Sequence, residues 1–595
     1  MLRARERRET VTRRVRYLAW LGGTLFALIA GSYWIVQGVH GAEYRELAEH
    51  NRLRKLPVSA LRGVVTDVAG RPLAENVPSY TLRIDPSAMR DPARTFTFAG
   101  AVLDLPAATL EATYRTRRQR DPVNPVLVAE DLSLAQVARF EVADLEHPEF
   151  DIDVEQVRLY RHRDQAAHLL GYIAEVTPEE LERASYRRGQ LVGRRGLERQ
   201  YEESLRGHDG ERVVVVDHRG RPVEEYGREE ARSGQPLRLA LDLDLQQAAR
   251  LAMEGKIGAV VALEPKTGAV KVLLSQPSYD PNLFARRLDA RQWQGLVDAP
   301  FHPLQNRAIQ NAFSPGSVFK PVLALAGLQE GLVTPRDRVR CSGVAYFYNH
   351  AFRCWKRGGH GSVDLQEALR QSCDVYFYQL GQELGIDRIG EYARRFGFGA
   401  VTGIDLGGER TGLVPGREWS ERVRGHPWYP GETISVAIGQ GPLLVTPLQM
   451  AVMMATVANG GYKPTPHLAA DRVVAGARVE GIDSRWWEVV QEGLHQVVER
   501  GTGRPAHVPG LEVAGKTGTV QVVSQETWTR SEDLPFEKRD HAWFAAFAPW
   551  RDPQLVVVVF VEHGGAGSRA AAPIARALYE EYLAKRSDLR RLSSG

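Results

Sequence analysis

Cysteine is nearly absent from this chain. Its 595 residues hold three, Cys341, Cys354 and Cys373, and an odd count excludes complete pairing into disulfides. Surplus charge is nearly absent too. The net charge is +4, but the first sixteen residues hold seven arginines against Glu6 and Glu9, a balance of +5 that leaves the rest of the chain at −1. Basic character is thus confined to a tail, which argues against a nucleic-acid surface. No period of about 20 to 50 residues repeats and no low-complexity block interrupts the chain, so repeat architectures are excluded.

What is present is a globular composition, 43% hydrophobic and 25% charged, with room for two or more domains. One apolar run, Tyr17 to Val39, follows the basic tail of residues 1–16. About twenty apolar residues span a bilayer. The run is too long for the core of a signal peptide and no small-x-small cleavage site follows it, so it reads as an uncleaved single-pass anchor. The arginines stay cytoplasmic, and everything after Val39 lies outside. Gly23, Ala27 and Gly31 recur every four residues. Such a stripe lets membrane helices pack closely, and it is equally what ordinary small residues in a membrane helix look like.

Three short motifs stand in one order: Ser317-Val318-Phe319-Lys320, Ser372-Cys373-Asp374 and Lys516-Thr517-Gly518-Thr519. A serine hydroxyl is a poor nucleophile until a base lies within hydrogen-bond reach. Pro315-Gly316 reads as a turn, Ser317 to Gln329 as a helix, and Gly331 as its stop. Three residues apart on a helix, Ser317 and Lys320 share a face. Pro321 falls in the first turn, where its missing N–H does no harm. The helix N-terminus offers N–H groups to a developing oxyanion. Burial and a second cation, Lys516, would lower the pKa of Lys320 towards that of a working base. Singly, each motif is commonplace: S-x-x-K occurs on many solvated helices, K-T-G in many strands and turns, and Ser372 suits a helix start. In this order, about 55 and then about 145 residues apart, they form the set shared by β-lactamases and penicillin-binding proteins, a serine acyl-transfer site.

Further residues extend the match: Asn306-Arg307-Ala308 and Ser314-Pro315-Gly316 before the serine, then Tyr429-Pro430-Gly431-Glu432-Thr433, Ile438-Gly439-Gln440-Gly441 and Thr446-Pro447-Leu448-Gln449-Met450. With these the chain strongly resembles a class B penicillin-binding protein of the elongation type, penicillin-binding protein 2, from the membrane segment to about residue 585. The resemblance implies an α+β fold. A transpeptidase domain, an antiparallel sheet covered by helices, would occupy 236–585, with a tail at 586–595. An elongated, mostly β pedestal or dimerisation domain would occupy 40–235, with a head inserted at about 85–155, after one transmembrane helix at 17–39.

The residues themselves suggest a helix from Glu43 to Arg54, a strand from Leu61 to Asp67 and a linker at Ser233-Gly234-Gln235-Pro236. Hairpins are signalled around Glu264-Pro265-Lys266-Thr267-Gly268 and Arg551-Asp552-Pro553, with a helix from Ala570 to Lys585. Arg62-Gly63 with Asp67 and Gly70, Tyr160-Arg161 with His168-Leu169-Leu170-Gly171-Tyr172, and Gly196 to Tyr201 with Leu205-Arg206-Gly207 resemble three pedestal motifs of the class. None carries a nucleophile–base pair, so structural and docking roles are expected.

The implied chemistry is D,D-transpeptidation of peptidoglycan stem peptides during cell elongation and rod-shape maintenance. Ser317 would attack the penultimate D-Ala carbonyl and Lys320 would take its proton. Ser372 would relay a proton to the leaving D-Ala, and N–H groups of Ser317 and Thr519 would hold the oxyanion. Lys516, Thr517 and Thr519 would bind the terminal carboxylate, and Gly518 would let the substrate backbone approach. β-Lactams would trap the same serine. Implied partners are a SEDS-family glycosyltransferase, met through the membrane helix and pedestal, and rod-complex scaffold proteins, at the bacterial inner membrane with the catalytic domain in the periplasm. Asp374 stands where many relatives carry Asn, and an ionised carboxylate only accepts hydrogen bonds.

The cysteines lie between the nucleophile and the end of the second motif, and His360 lies among them, giving C-x12-C-x5-H-x12-C. A closed Cys3His tetrahedron is a well-used structural zinc site, and some penicillin-binding protein 2 members resemble it, with zinc at matching positions. The alternative is a Cys341–Cys354 disulfide beside a free Cys373. Rival functions are a β-lactamase or β-lactam receptor, a D,D-carboxypeptidase using water as acceptor, a division-type transpeptidase and a catalytically inert scaffold.

Overall fold

In the computed structural model, residues 2–44, 53–120, 125–183, 186–187, 189–216, 222–285, 288, 290–523 and 531–594 are described. Two units emerge, the first made of residues 1–61 and 206–234. Its helix α1 (Leu2–Trp34) runs on through a π-helical turn, Ile35–Val39. Val11–Val39 is long and apolar enough to cross a membrane, with mean hydropathy 1.5 and none of it buried. The helix therefore begins well before the expected Tyr17 boundary and takes in the arginine tail. The expected helix from Glu43 to Arg54 is helical only as far as Tyr44; residues 45–52 lie outside the described residues, and Leu53 and Arg54 already belong to a strand. That strand, Leu53–Val58, pairs antiparallel with Gly210–Val216, which pairs with Pro222–Glu229.

The second unit holds residues 62–205 and 235–595. A long strand, Pro72–Ile84, pairs with Phe150–Tyr160 on one side and Val126–Leu132 on the other. Within about 85–155, the stretch expected as an inserted head, the helices Pro92–Leu103, Ala107–Arg120 and Leu134–Val142 pack on these strands around Phe96, Leu110, Phe140 and Phe150. The expected strand from Leu61 to Asp67 shrinks to Val65–Thr66. The reason is a close crossing: Gly63 N–H donates to Leu205 O at 2.7 Å, and a Cβ on Gly63 would lie 1.9 Å from Gln235 O. The pedestal motifs converge on one buried carboxylate. Glu198 accepts from Arg62 Nε at 2.5 Å, Arg158 Nε at 2.8 Å and Tyr160 OH at 3.3 Å. A buried charge persists only when so paired, which explains charged residues in segments without chemistry.

The rest of the chain is built on one antiparallel sheet of β1 (Gly258–Leu263), β2 (Val270–Gln276), β3 (Ala514–Val520), β4 (His541–Ala548) and β5 (Leu555–Val561). Spatial order is β2-β1-β5-β4-β3, with β3 at the edge. Every residue of β1 and β5 is buried, which their unbroken apolar sequence anticipates. The helices around it are α2 (Leu243–Ala252), α3 (Lys320–Gln329), α4 (Leu365–Gln371), α5 (Asp374–Arg395), α6 (Pro447–Ala458), α7 (Ser484–Arg500) and α8 (Ala572–Ser594). On one sheet face Leu245 of α2 and Leu578 and Tyr579 of α8 pack with Val557 and Val559. On the other, α3, α5 and α6 share a core that includes Val261, Phe319 and Phe377. Pedestal residues Val65, Leu73, Leu169 and Leu197 belong to that same core. All of α6 is buried, as a helix apolar on every side must be. Helix α8 continues to Ser594, past the tail boundary expected at 586.

Candidate active site

Ser317 lies in a 3-10 turn, Gly316–Phe319, ahead of α3, and not in the single helix expected from Ser317 to Gln329. Pro321 supplies the cause. It has no N–H to bond Ser317 O four residues back, so Lys320 N–H takes that oxygen as a three-residue bond. In a 3-10 turn residues three apart eclipse, and Ser317 and Lys320 keep a common side. The turn is pinned from outside: Gly316, at φ 57°, donates its N–H to Gly439 O at 2.9 Å. A Cβ on Gly439 would lie 2.1 Å from Gly316 O, so the glycine of Ile438-Gly439-Gln440-Gly441 is required by this contact.

Lys320 is 0% exposed. Its ammonium donates to Ser372 O at 3.1 Å, Ser372 Oγ at 3.2 Å and Asp374 Oδ1 at 2.7 Å. Among the described residues none of its bonds reaches Ser317. Ser372 caps α4 at φ 55°, a left-handed conformation that costs a serine energy; it directs the hydroxyl to Lys320 while α5 starts afresh at Asp374. The second Asp374 oxygen accepts the Trp355 N–H at 2.9 Å. Burial pushes the Asp374 carboxyl above its ordinary pKa, against the opposing pull of Lys320.

Edge strand β3 forms the opposite wall. Lys516 is 0% exposed and its ammonium donates to Thr517 O at 3.0 Å. Burial first, then the charge of Lys320, push its pKa well down. Thr519 is exposed; its carbonyl accepts from Gln440 Nε2 at 3.2 Å and its hydroxyl from Gly567 N–H at 3.4 Å. A Cβ on Gly518 would lie 2.6 Å from Val318 Cγ2 and 3.1 Å from Pro315 O. The close neighbour this glycine admits is the turn that carries Ser317, where the sequence reading places a substrate backbone.

The structure brings Cys341, Cys354, His360 and Cys373 together, with one ligand atom from each and all four within 4.8 Å of one another. The three cysteines are free thiols, so the Cys341–Cys354 disulfide is not formed. His360 Nδ1 lies 3.6 Å from Cys341 Sγ and 3.4 Å from Cys354 Sγ. Its Nε2 is buried without a partner among the described residues. Hydrogen bonds from Cys373 and then His360 pull the Cys354 thiol far below its ordinary pKa. Three sulfurs and an imidazole at this spacing fit one tetrahedral, thiophilic metal ion. The Asp374 N–H donates to Cys354 Sγ at 3.4 Å, so the cluster abuts the second motif directly.

Two contributors escape a sequence reading. Trp355 acts through its backbone N–H, and Thr502 pairs its hydroxyl with that of Thr517 at 2.7 Å. A backbone donor has no residue signature, and Thr502 belongs to no motif. Gln440 stands in a quoted motif, but only the fold shows that it holds Thr519.

Residues 258–580 match the penicillin binding protein transpeptidase domain, and residues 57–239 the penicillin-binding protein dimerisation domain. Peptidoglycan D,D-transpeptidase MrdA of Haemophilus influenzae is 35% identical, over 95% of this chain and 90% of that protein. The solved penicillin-binding protein 2 of Helicobacter pylori, in complex with MreC, superposes with a TM-score of 0.79 at 27% identity, over 89% of this chain and 98% of that one. A further match, from a peptidoglycan synthase complex that coordinates polymerization and crosslinking, gives a TM-score of 0.73 at 32% identity, over 96% and 98% of the two chains. The chain belongs to the penicillin-binding proteins, in the penicillin-binding protein 2 branch of class B.

Proposed function

We propose that this protein is an elongation-type peptidoglycan D,D-transpeptidase acting through a Ser317 acyl-enzyme. One observation supports the reading: Lys320 of the first motif donates to Ser372 and Asp374 of the second, its charge reaches Lys516 of the third, and the turn that carries Ser317 packs against Gly518 of the third through Val318 and Pro315. Transfer of one proton from Lys320 Nζ to Asp374 Oδ1, across 2.7 Å, leaves a neutral amine and a neutral carboxyl. Burial, which raises the Asp374 carboxyl, favours its neutral form. The amine takes the Ser317 proton as Oγ attacks the penultimate D-Ala carbonyl, whose oxygen is held by the N–H groups of Ser317 and Thr519. Collapse of the intermediate breaks the peptide bond, and Ser372 passes the proton to the departing D-Ala. An amine of a neighbouring stem then releases the acyl group; water in its place gives D,D-carboxypeptidation. Thr517, Gly518 and Thr519 line the donor site beside Lys516, and β-lactams acylate Ser317 by the same attack.

Metal held by Cys341, Cys354, His360 and Cys373 is read as one structural zinc, because four protein ligands leave no open position; metal content per chain tests it. The helix through Val39 would anchor the chain in the inner membrane, arginine tail inside and residues 40–595 outside, with the pedestal (40–235) and transpeptidase (236–585) as its domains. The H. pylori complex with MreC and the synthase complex support a rod-complex scaffold protein and a SEDS-family glycosyltransferase as partners. The test is mass spectrometry of the full-length chain after penicillin treatment. One adduct on Ser317 is expected, absent from Ser317→Ala; an adduct that persists in the variant removes the assignment.

A further inference from the structure

The transpeptidase reading, on which this inference rests, involves two strands of peptidoglycan. The amine that releases the acyl group arrives on the second strand while Ser317 is still occupied. The three motifs serve the donor stem, which leaves open the surface that receives the other strand.

Between Arg338 and Val363 the chain holds no Asp or Glu. Arg353, Lys356 and Arg357 are exposed there, and among the described residues none of the three forms an ion pair. Arg338 differs, being taken up by Asp364 and Glu367. Unpaired cations so close along the chain repel one another, and an anionic ligand removes that cost.

Register puts an aromatic ring on the same surface. Val344 pairs with Arg353 and Tyr346 with Ala351, so Tyr346 and Arg353 share one face of the hairpin. The opposite face turns inward: Phe347 and Phe352 meet Tyr378 of α5 edge-on, at 6.3 and 5.6 Å. Tyr346 is left 73% exposed. At the tip, Tyr348 and Asn349 have φ of 50° and 62°, the left-handed pair whose twist suits two joined strands. Lys356 and Arg357 lie in a turn closed onto the base of this hairpin. Cys354 N–H donates to Gly343 O at 2.9 Å, and a Cβ on Gly343 would lie 2.4 Å from Arg357 O.

This surface reaches the second motif through Trp355. Its ring is 54% exposed, yet the residue is held twice. The backbone N–H sits on Asp374, and the indole N–H donates at 3.0 Å to the carbonyl of Gln371, the residue before Ser372. Exposed rings on a backbone this well fixed offer contact area at little cost in ordering.

We propose that the outer face of this hairpin and the turn from Trp355 to Arg357 bind the peptidoglycan strand that carries the acceptor stem. Arg353, Lys356 and Arg357 pair with free carboxylates of its stem peptides, and Tyr346 lies against its sugar rings. Complementary charge and exposed aromatic surface select a polymer that is both anionic and carbohydrate.

The test measures binding of the full-length chain, in detergent, to insoluble peptidoglycan sacculi after penicillin has acylated Ser317. The donor cleft is then filled, as it is when an acceptor arrives, and the amount of bound penicillin counts the folded chains. The triple variant Arg353→Gln, Lys356→Gln, Arg357→Gln is expected to bind about tenfold more weakly, the sum of three exposed charge contacts. Amidating the carboxylates of the sacculi is expected to bring the wild type down to the level of that variant. Tyr346→Ala is expected to weaken binding and Tyr346→Phe to keep it. Equal binding by wild type and triple variant, or binding indifferent to amidation, would overturn the proposal. So would displacement by poly-glutamate as effective as displacement by soluble peptidoglycan chains, since any polyanion would then serve. A wild-type chain that penicillin fails to acylate would instead sink the transpeptidase reading, and the same binding comparison on the unacylated chain would still decide the surface.

Discussion

The Asp374 carboxyl touches both walls of the second motif, taking the Lys320 ammonium on one oxygen and the Trp355 N–H on the other. Asparagine at this position accepts from either neighbour but cannot accept a proton. Asp374→Asn is therefore expected to slow penicillin acylation about tenfold or more at neutral pH, the low end of what acid–base catalysis contributes, with little change in Tm. An unchanged rate would show that Lys320 loses its proton elsewhere. Ser317, Lys320 and Lys516 are legible as candidates because each stands as a side chain in a spaced motif. The reason for Gly518 was not, since the atoms it must avoid belong to Pro315 and Val318, some two hundred residues earlier in the chain.

Among the elements, the cysteine cluster joins a short strand pair, a hairpin and the start of α5, which also meet through Phe347, Phe352 and Tyr378. Cys341 ends a short strand, Val339–Cys341, paired with Gly361–Val363; Cys354 follows the hairpin of Val344–Phe347 and His350–Arg353; Cys373 links α4 to α5. Small strand pairs of this length are marginal alone, and a metal bound only in the folded state adds its binding free energy to stability. About one zinc per chain is expected from protein purified without added metal, lost or weakened in Cys373→Ser, with Tm lowered by chelator in the wild type only. No metal in either protein would refute a zinc site. Spacing along the chain showed which residues could share an ion. It could not show that the Asp374 N–H donates to one of the sulfurs, because that contact depends on how α5 begins.

At the scale of the whole molecule, pH acts through buried histidines. His168 is buried, its Nε2 2.7 Å from Pro303 O, and burial pushes its pKa from 6.5 down to about 4. A depressed pKa gives stability that is complete above the unfolded value and lost as pH falls through the folded one. Wild-type Tm is therefore expected to fall between pH 6.5 and about pH 4, and His168→Gln, which keeps a donor for Pro303, to flatten that fall. Equal slopes in both proteins would count against it. The apolar runs of β1, β2, β4 and β5 were visible in the sequence, since strands buried on both faces need no alternation. Their order was not, because pairing partners are chosen by layers of helix that intervene.

That order has a consequence for synthesis. β1 is completed at Leu263, yet one of its neighbours, β5, runs from Leu555 to Val561. Chains are made from the N-terminus, and pairings so distant in sequence form late. The wall that carries Lys516, Thr517 and Thr519 is held in the sheet only through β4 and β5. The nucleophile's turn and its facing strand thus meet only once nearly the last residue has emerged. A product truncated before Leu555 is therefore expected to keep the motif residues while losing the strand that ties the third-motif wall to β1.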